Sequence, residues 1–232
     1  MARNDSVEFA VSEAWPAAHP GACVGLLVLS GVQNPDGDDR MNAALDETAD
    51  SLRARFAGAT RADLLARPEI AAYAAYYRRF DKTYHVLLQL ESVVFKGKPL
   101  RTRGALVAAM FRAELTTGLL TAGHDAARLD GPLTLGVVAP GDRYVGMGGR
   151  EILAAAGDMC IRDSTAIVSS VVYGPDDRTG LQPDTTAAVF TTYAPAGIGA
   201  DAVSRHLDAI AAGVRIFAPA FAIETLAVTE AR

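Results

Sequence analysis

The sequence has little that would place it in a membrane, a secretory route or a metalloprotein class. Its longest apolar run, Ala22 to Leu29, is eight residues and contains Gly25, against the roughly 20 that a spanning helix requires. No membrane partner is expected. Met1 to Val7 is polar and mixed in charge, unlike the basic stretch, apolar core and small-residue cleavage site of a secretory leader; a cytoplasmic location is the expectation. The two cysteines, Cys23 and Cys160, are far apart and fit no CxxC or Cys/His spacing, so they read as buried thiols. The four histidines, His19, His85, His124 and His206, are equally scattered, and neither a metal nor another cofactor is expected. No GxxxxGK(S/T), HExxH or GxSxG string occurs, which removes the commonest nucleotide, zinc-protease and serine-hydrolase signals. Gly146-Met-Gly-Gly149 lies between short strands rather than between a strand and a helix, so it reads as a turn and not as a dinucleotide site.

What is present is apolar and ordered in character. Half of the 232 residues are hydrophobic and 21% are charged, enough to bury one sizeable core, so one domain over residues 1–232 is the default. The net charge of -5 discourages nucleic-acid binding as an average, because phosphate contacts rest on Lys and Arg. The distribution differs. From Arg78 to Arg112 eight basic residues face only Asp81 and Glu91, a balance of +6 that leaves -11 for the rest. Arg78, Arg79, Lys96, Lys98, Arg101 and Arg103 are the candidate phosphate-binding residues on a chain that stays acidic elsewhere. A solvated helix face is the plainer alternative.

Along the chain, Ala22 to Ser30 reads as a buried strand between turns. Asp38 or Asp39 can cap a helix through Phe56. A short helix to Arg67 follows, then one opened by Pro68 and running to about Phe80, one over Tyr84–Phe95 and one over Gly104–Thr117. Beyond Leu119 short β-branched runs take over, at Leu133–Val138, Tyr144-Val145, Ala166–Tyr173 and Ala187–Tyr193. A last amphipathic helix spans about Gly199–Ala212, and Phe217–Val228 is an apolar tail expected to pack on the domain. The hexapeptide Met159-Cys-Ile-Arg-Asp-Ser164 coincides with one translated frame of a common sequencing-library transposon end and is given little weight. The predicted fold class is α+β, a helical middle segment packed on a mixed or antiparallel sheet.

Two segments carry candidate chemistry. His124-Asp125, in a loop entering the sheet, can supply general acid-base chemistry near neutral pH, although adjacent side chains on an extended segment point to opposite faces. Asp176-Asp177-Arg178-Thr179 sets carboxylates, a guanidinium and a hydroxyl at a strand end; Arg178 can take a carboxylate or phosphate through its planar fork. An ordinary charged turn is the alternative. His206, near Asp201 and Arg205, reads as a surface residue, and His19 as part of a proline-rich turn.

An ordered series of motifs then points to a family. Tyr77-Arg78-Arg79-Phe80, Leu87 to Leu90, Phe95-Lys-Gly-Lys-Pro-Leu100, Gly118-Leu-Leu-Thr-Ala-Gly-His-Asp125, Leu129-Asp-Gly-Pro-Leu-Thr-Leu135, Gly148-Gly149 and Asp177-Arg178-Thr179 resemble, in order and spacing, the B3/B4 domain of the phenylalanyl-tRNA synthetase β-subunit, and its free-standing members more than the embedded ones. The resemblance covers nearly the whole chain and is best over residues 77–193. It implies an α+β fold with a pocket at the sheet, which in the synthetase admits the mischarged tyrosyl end of tRNA and releases tyrosine by hydrolysis. The position of the embedded domain's histidine falls on Ala122, with His124 two residues later, and the asparagine usual before the helix near Gly104 is replaced by Thr102-Arg103.

The functions implied are tRNA binding, with editing of a mischarged aminoacyl ester in trans, or binding of a small amino-acid-like molecule in a retained pocket. A protein-interaction module is the third option. For the first, His124 and Asp177 are the candidate catalytic groups, the amides near Gly148 and Gly149 the candidate oxyanion donors, and Gly148, Gly149, Asp177, Arg178 and Thr179 the candidate ligand-binding set.

Overall fold

The computed structural model describes residues 7–232; the amino-terminal stretch read above for a leader lies, apart from Val7, outside the described residues. Two sheets and a helical layer make up an α+β fold. The chain opens with β1 (Phe9–Val11), α1 (Ala14–Ala18) and the eight-residue β2 (Cys23–Ser30). Five helices follow, α2 (Asp39–Arg55), α3 (Arg61–Leu65), α4 (Pro68–Arg78), α5 (His85–Val94) and α6 (Ala105–Thr117). Then come β3 (Leu120–Asp125), β4 (Leu133–Val137), β5 (Arg143–Gly146), β6 (Arg150–Leu153), β7 (Met159–Arg162), β8 (Ile167–Ser170), β9 (Gly174–Pro175) and β10 (Ala187–Ala194). The chain ends with α7 (Ala200–Arg215) and β11 (Ala222–Glu230).

The helix starts follow local chemistry. Asp38 accepts the Met41 N–H at 2.9 Å and caps α2. Thr60 and Asp63 form a reciprocal capping box on α3, and Pro68 occupies the first turn of α4, where its missing N–H costs nothing. The start of α6 has no cap of its own; Asn34, distant in sequence, accepts the Leu106 N–H at 2.9 Å and donates to the Gln182 carbonyl at 2.9 Å.

One sheet has the order β11-β2-β10-β3, antiparallel throughout. β2 and β10 pair along their whole length and are buried almost end to end, as expected of the continuous apolar run. Gly25 in β2 lets α7 lie against this sheet, since a Cβ there would come within 2.6 Å of Val203. The other sheet has the order β1-β4-β7-β8-β9, parallel at β1-β4 and antiparallel elsewhere. β5 and β6 form a separate hairpin.

Tyrosines of α4 tie the two sheets together. Tyr73 donates to the Tyr193 carbonyl and accepts the Leu120 N–H at 2.9 Å, joining β10 and β3. Tyr76 donates to Asp158 Oδ1 at 2.6 Å and accepts the Met159 N–H at 2.7 Å, while Tyr77 donates to the Val171 carbonyl at 2.6 Å, both on the second sheet. Burial of such phenols is tolerated because each hydroxyl is partnered.

Several expectations need correction. Leu120–Asp125 is a strand paired along its length with β10 rather than a loop, so His124 is part of a sheet. Phe217–Val228 is not merely a packed tail: β11 forms the sheet edge, leaving Ile223 40% and Leu226 36% exposed. Met159–Ser164 supplies β7, a strand with partners on both sides. His206 is not on the surface. It shares the inner stripe of α7 with Val203, Leu207 and Ile210 and is completely buried, because i, i+3, i+4 and i+7 fall on one face. Both cysteines are buried and free. Among the described residues no helix is long and apolar enough to cross a membrane.

Candidate functional site

A cavity of about 410 Å³ lies where β3, an edge of the first sheet, faces β8 and β9 at the edge of the second, under α5 and α6. Its wall on α6 is Val107, Met110, Phe111 and Glu114, one i, i+3, i+4, i+7 stripe. α5 contributes His85 and Gln89, also one turn apart, and the loop ahead of α6 contributes Arg101 and Thr102. Ala122 and Gly123 of β3, Leu181 and Met147 line the remaining sides. The lining is mostly apolar with a few polar groups, the usual make-up of a small-molecule site.

Glu114 is the unusual member. Only 4% exposed, it accepts the Thr121 N–H at 2.8 Å through Oε1. Burial pushes its pKa up to about 8, and that one amide only partly offsets the effect. No cation pulls the other way. Gln89 Oε1 and Thr102 Oγ1, from two other residues that line the cavity, are buried without a hydrogen-bond partner among the described residues. At the exposed end Arg101 makes a two-pronged pair with Asp46 at 2.7 and 3.0 Å.

The residues singled out from sequence occupy other places. His124 is wholly buried: Nδ1 meets Thr179 Oγ1 at 2.7 Å and Nε2 meets Ser169 Oγ at 3.3 Å. Desolvation lowers its pKa to about 4, so the ring is neutral at pH 7. Asp125 turns to different partners, the Ala127 N–H at 3.0 Å and the Thr185 hydroxyl at 2.8 Å. Asp177 accepts the Gly148 N–H at 2.9 Å, so two candidate groups do meet, but as an anchor for the β5-β6 turn in which Gly148 and Gly149 both take positive φ. Arg178 donates to Asp163 at 2.7 Å and to the Arg128 carbonyl at 2.9 Å; Thr179 is bound between Asp176 and His124. The cavity is lined by neighbours of this set, Met147, Pro175, Gly180 and Leu181, rather than by the set itself.

The basic stretch divides in two. Arg78 and Arg79 end α4, and Arg79 lies over the Tyr76 and Phe80 rings at 5.3 and 5.5 Å. Lys96, Lys98, Arg101 and Arg103 follow α5, where Arg53 binds the Gly97 and Lys98 carbonyls at 3.2 and 3.1 Å. The ten residues of α5 separate the groups, roughly 15 Å of helix. All six side chains are exposed and only Arg101 reaches the cavity mouth. Among the described residues no group of three or more His, Cys, Asp or Glu could hold a metal.

Glu114 and Gln89 are absent from the residues singled out in the sequence, and Thr102 stands there only at the place of the family's usual asparagine. The available signal was Glu114 itself, a carboxylate continuing the apolar stripe Val107, Met110, Phe111, where a side chain facing the core is otherwise apolar.

No protein-family model matches the chain, and no curated protein does. Among solved structures, the crystal structure of an N-terminal fragment of the phenylalanyl-tRNA synthetase β-subunit from Pyrococcus horikoshii is similar, with a TM-score of 0.52 and 10% identity over 99% of this chain. The match spans 56% of that fragment's length. At this identity the likeness is one of fold, and the chain is similar in fold to part of that β-subunit fragment.

Proposed function

We propose that this protein binds a small amphipathic, amino-acid-like ligand in the cavity between α6 and β3. The observation that carries the reading is the cavity itself: an apolar chamber of about 410 Å³ with unused polar atoms on its wall, which is the composition that holds and orients a small molecule. Met110, Phe111, Leu120 and Leu181 offer the apolar part of a ligand its contacts. His124 and Asp177 are both engaged with other partners and neither lines the cavity, so they offer a ligand there no hydrolytic group.

A second reading takes the ligand from the aminoacyl end of a tRNA. It is favoured by Arg101 at the mouth and by Lys96, Lys98 and Arg103 in the same loop region, which would meet phosphates.

Thermal unfolding with free amino acids and a tRNA retardation assay at low salt separate the two. Stabilisation by a free amino acid without tRNA affinity supports the first reading, through selective binding to the native state. Retention of tRNA that is lost in a Lys96→Glu/Lys98→Glu/Arg103→Glu variant supports the second. Neither response would refute both.

A further inference from the structure

We infer that the cavity selects ligands carrying a positively charged amine, and that Glu114 is the residue that receives it. This rests on the small-molecule reading above and adds the charge and placement of the ligand's head group.

A carboxylic acid buried in an apolar wall is costly unless it is partnered. Oε1 of Glu114 has one donor, the Thr121 amide, and a carboxylate has room for several. The surroundings give it no cation. Tyr73 of α4 spends its hydroxyl on Tyr193 and Leu120, Tyr84 donates to Gly118, and His206 of α7 is held by Thr117 and Thr121 at 2.8 and 2.6 Å. His85 of α5 is half-buried and contacts the Tyr77 hydroxyl at 3.3 Å. With no protein cation beside it, Glu114 keeps its proton at neutral pH, and an ammonium brought into the cavity would ionise the carboxyl and pair with it.

Two further features agree. Gln89 Oε1, on α5, is a second acceptor without a donor lining the same cavity, and an ammonium has three N–H groups to share between a carboxylate and an amide oxygen. Glu114 also lies at the buried end. Val107 to Glu114 is two turns of α6, roughly 10 Å, and Arg101, at the exposed end, has a side chain that is 51% accessible. A ligand with an amine at its inner end and an apolar body along Met110 and Phe111 fits this polarity; an inner carboxylate would set acceptor against acceptor at Gln89 Oε1 and would hold Glu114 in its neutral form.

Titration calorimetry of the full chain with hexylamine, hexanol and hexanoate, three probes of one shape, tests the assignment. Hexylamine is expected to bind at least tenfold more tightly than hexanoate, and Glu114→Gln is expected to remove most of that preference while keeping the Thr121 acceptor. Gln89→Leu should lower amine affinity by a smaller factor without raising hexanoate affinity. If hexanol and hexanoate bind as well as hexylamine, or if Glu114→Gln leaves the preference unchanged, the amine assignment is wrong and the cavity reading stands. If none of the three binds, and no free amino acid stabilises the fold, the cavity reading falls and the amine assignment with it.

Discussion

The Thr121 amide donates to Glu114 Oε1 at 2.8 Å, so a carboxyl from α6 closes a backbone donor on β3, an edge strand of its sheet. Edge strands carry donors that no ladder partner meets. The same contact holds an acidic side chain on the cavity wall, and it links the stability of the fold to the chemistry of the site.

The contribution of Glu114 to stability should fall with rising pH. Its folded pKa, about 8, lies above the ordinary value of 4.5, so the folded state keeps a proton that the unfolded state has released. The advantage is complete below about pH 4.5 and is lost as pH rises through about 8, a difference on the order of a few kcal/mol. Glu114→Gln keeps the acceptor and cannot ionise, so its melting temperature should gain on that of wild type as pH rises from 5 to 8, the buried histidines and Asp158 contributing alike to both proteins.

The buried histidines act in the opposite direction. Desolvation lowers His19 and His124 to about 4 and His206 to about 3 from 6.5, so the unfolded state takes up protons first as pH falls. Their contribution is present above pH 6.5 and is lost toward pH 4. Replacing His206 with Asn should reduce the acid-side slope of stability between pH 6.5 and pH 4, and costs about 1–2 kcal/mol at neutral pH through weakened contacts to Thr117 and Thr121.

Gly123→Ala probes the cavity directly. A Cβ at Gly123 would lie 2.9 Å from Leu181 Cδ1, which must shift, and 3.3 Å from Phe190 Cε1, a tight contact. A loss of about 1–2 kcal/mol in stability is expected, with weaker binding of any ligand the cavity takes. Unchanged affinity would place the ligand elsewhere.

Asp163 and Arg178 should couple. Asp163 also accepts the Asp130, Thr165 and Ala166 amides at 3.0, 2.9 and 3.0 Å, and these contacts with Arg178 hold its carboxyl well below the usual range despite the opposing effect of burial. A double-mutant cycle with Asp163→Asn and Arg178→Ala, read by urea denaturation, should give a coupling of about 1 kcal/mol, modest because Arg178 is partly exposed.

The helices were readable because their signals are local: Asp38 and Pro68 mark starts, and apolar stripes mark faces. β2 and β10 were readable as apolar runs. β3 was not, because Thr121-Ala-Gly-His124 lacks β-branched density and owes its place to pairing with β10 and to the bond between Tyr73 and Leu120. The site was the least legible part. Arg178 and Thr179 look like ligand-binding residues by type, but their partners, Asp163 and His124, come from distant strands. The cap that the segment before α6 lacks arrives from Asn34, some seventy residues earlier, where no local pattern announces it.

The most direct test of the cavity as a ligand site is a crystal structure of the chain grown with L-phenylalanine, L-tyrosine or hexylamine. Density for at least one of them between α6 and β3, with its amine against Glu114 and its apolar part along Met110 and Phe111, is the predicted result. A cavity without ligand density in all three crystals, or binding confined to the outer surface, would contradict the account.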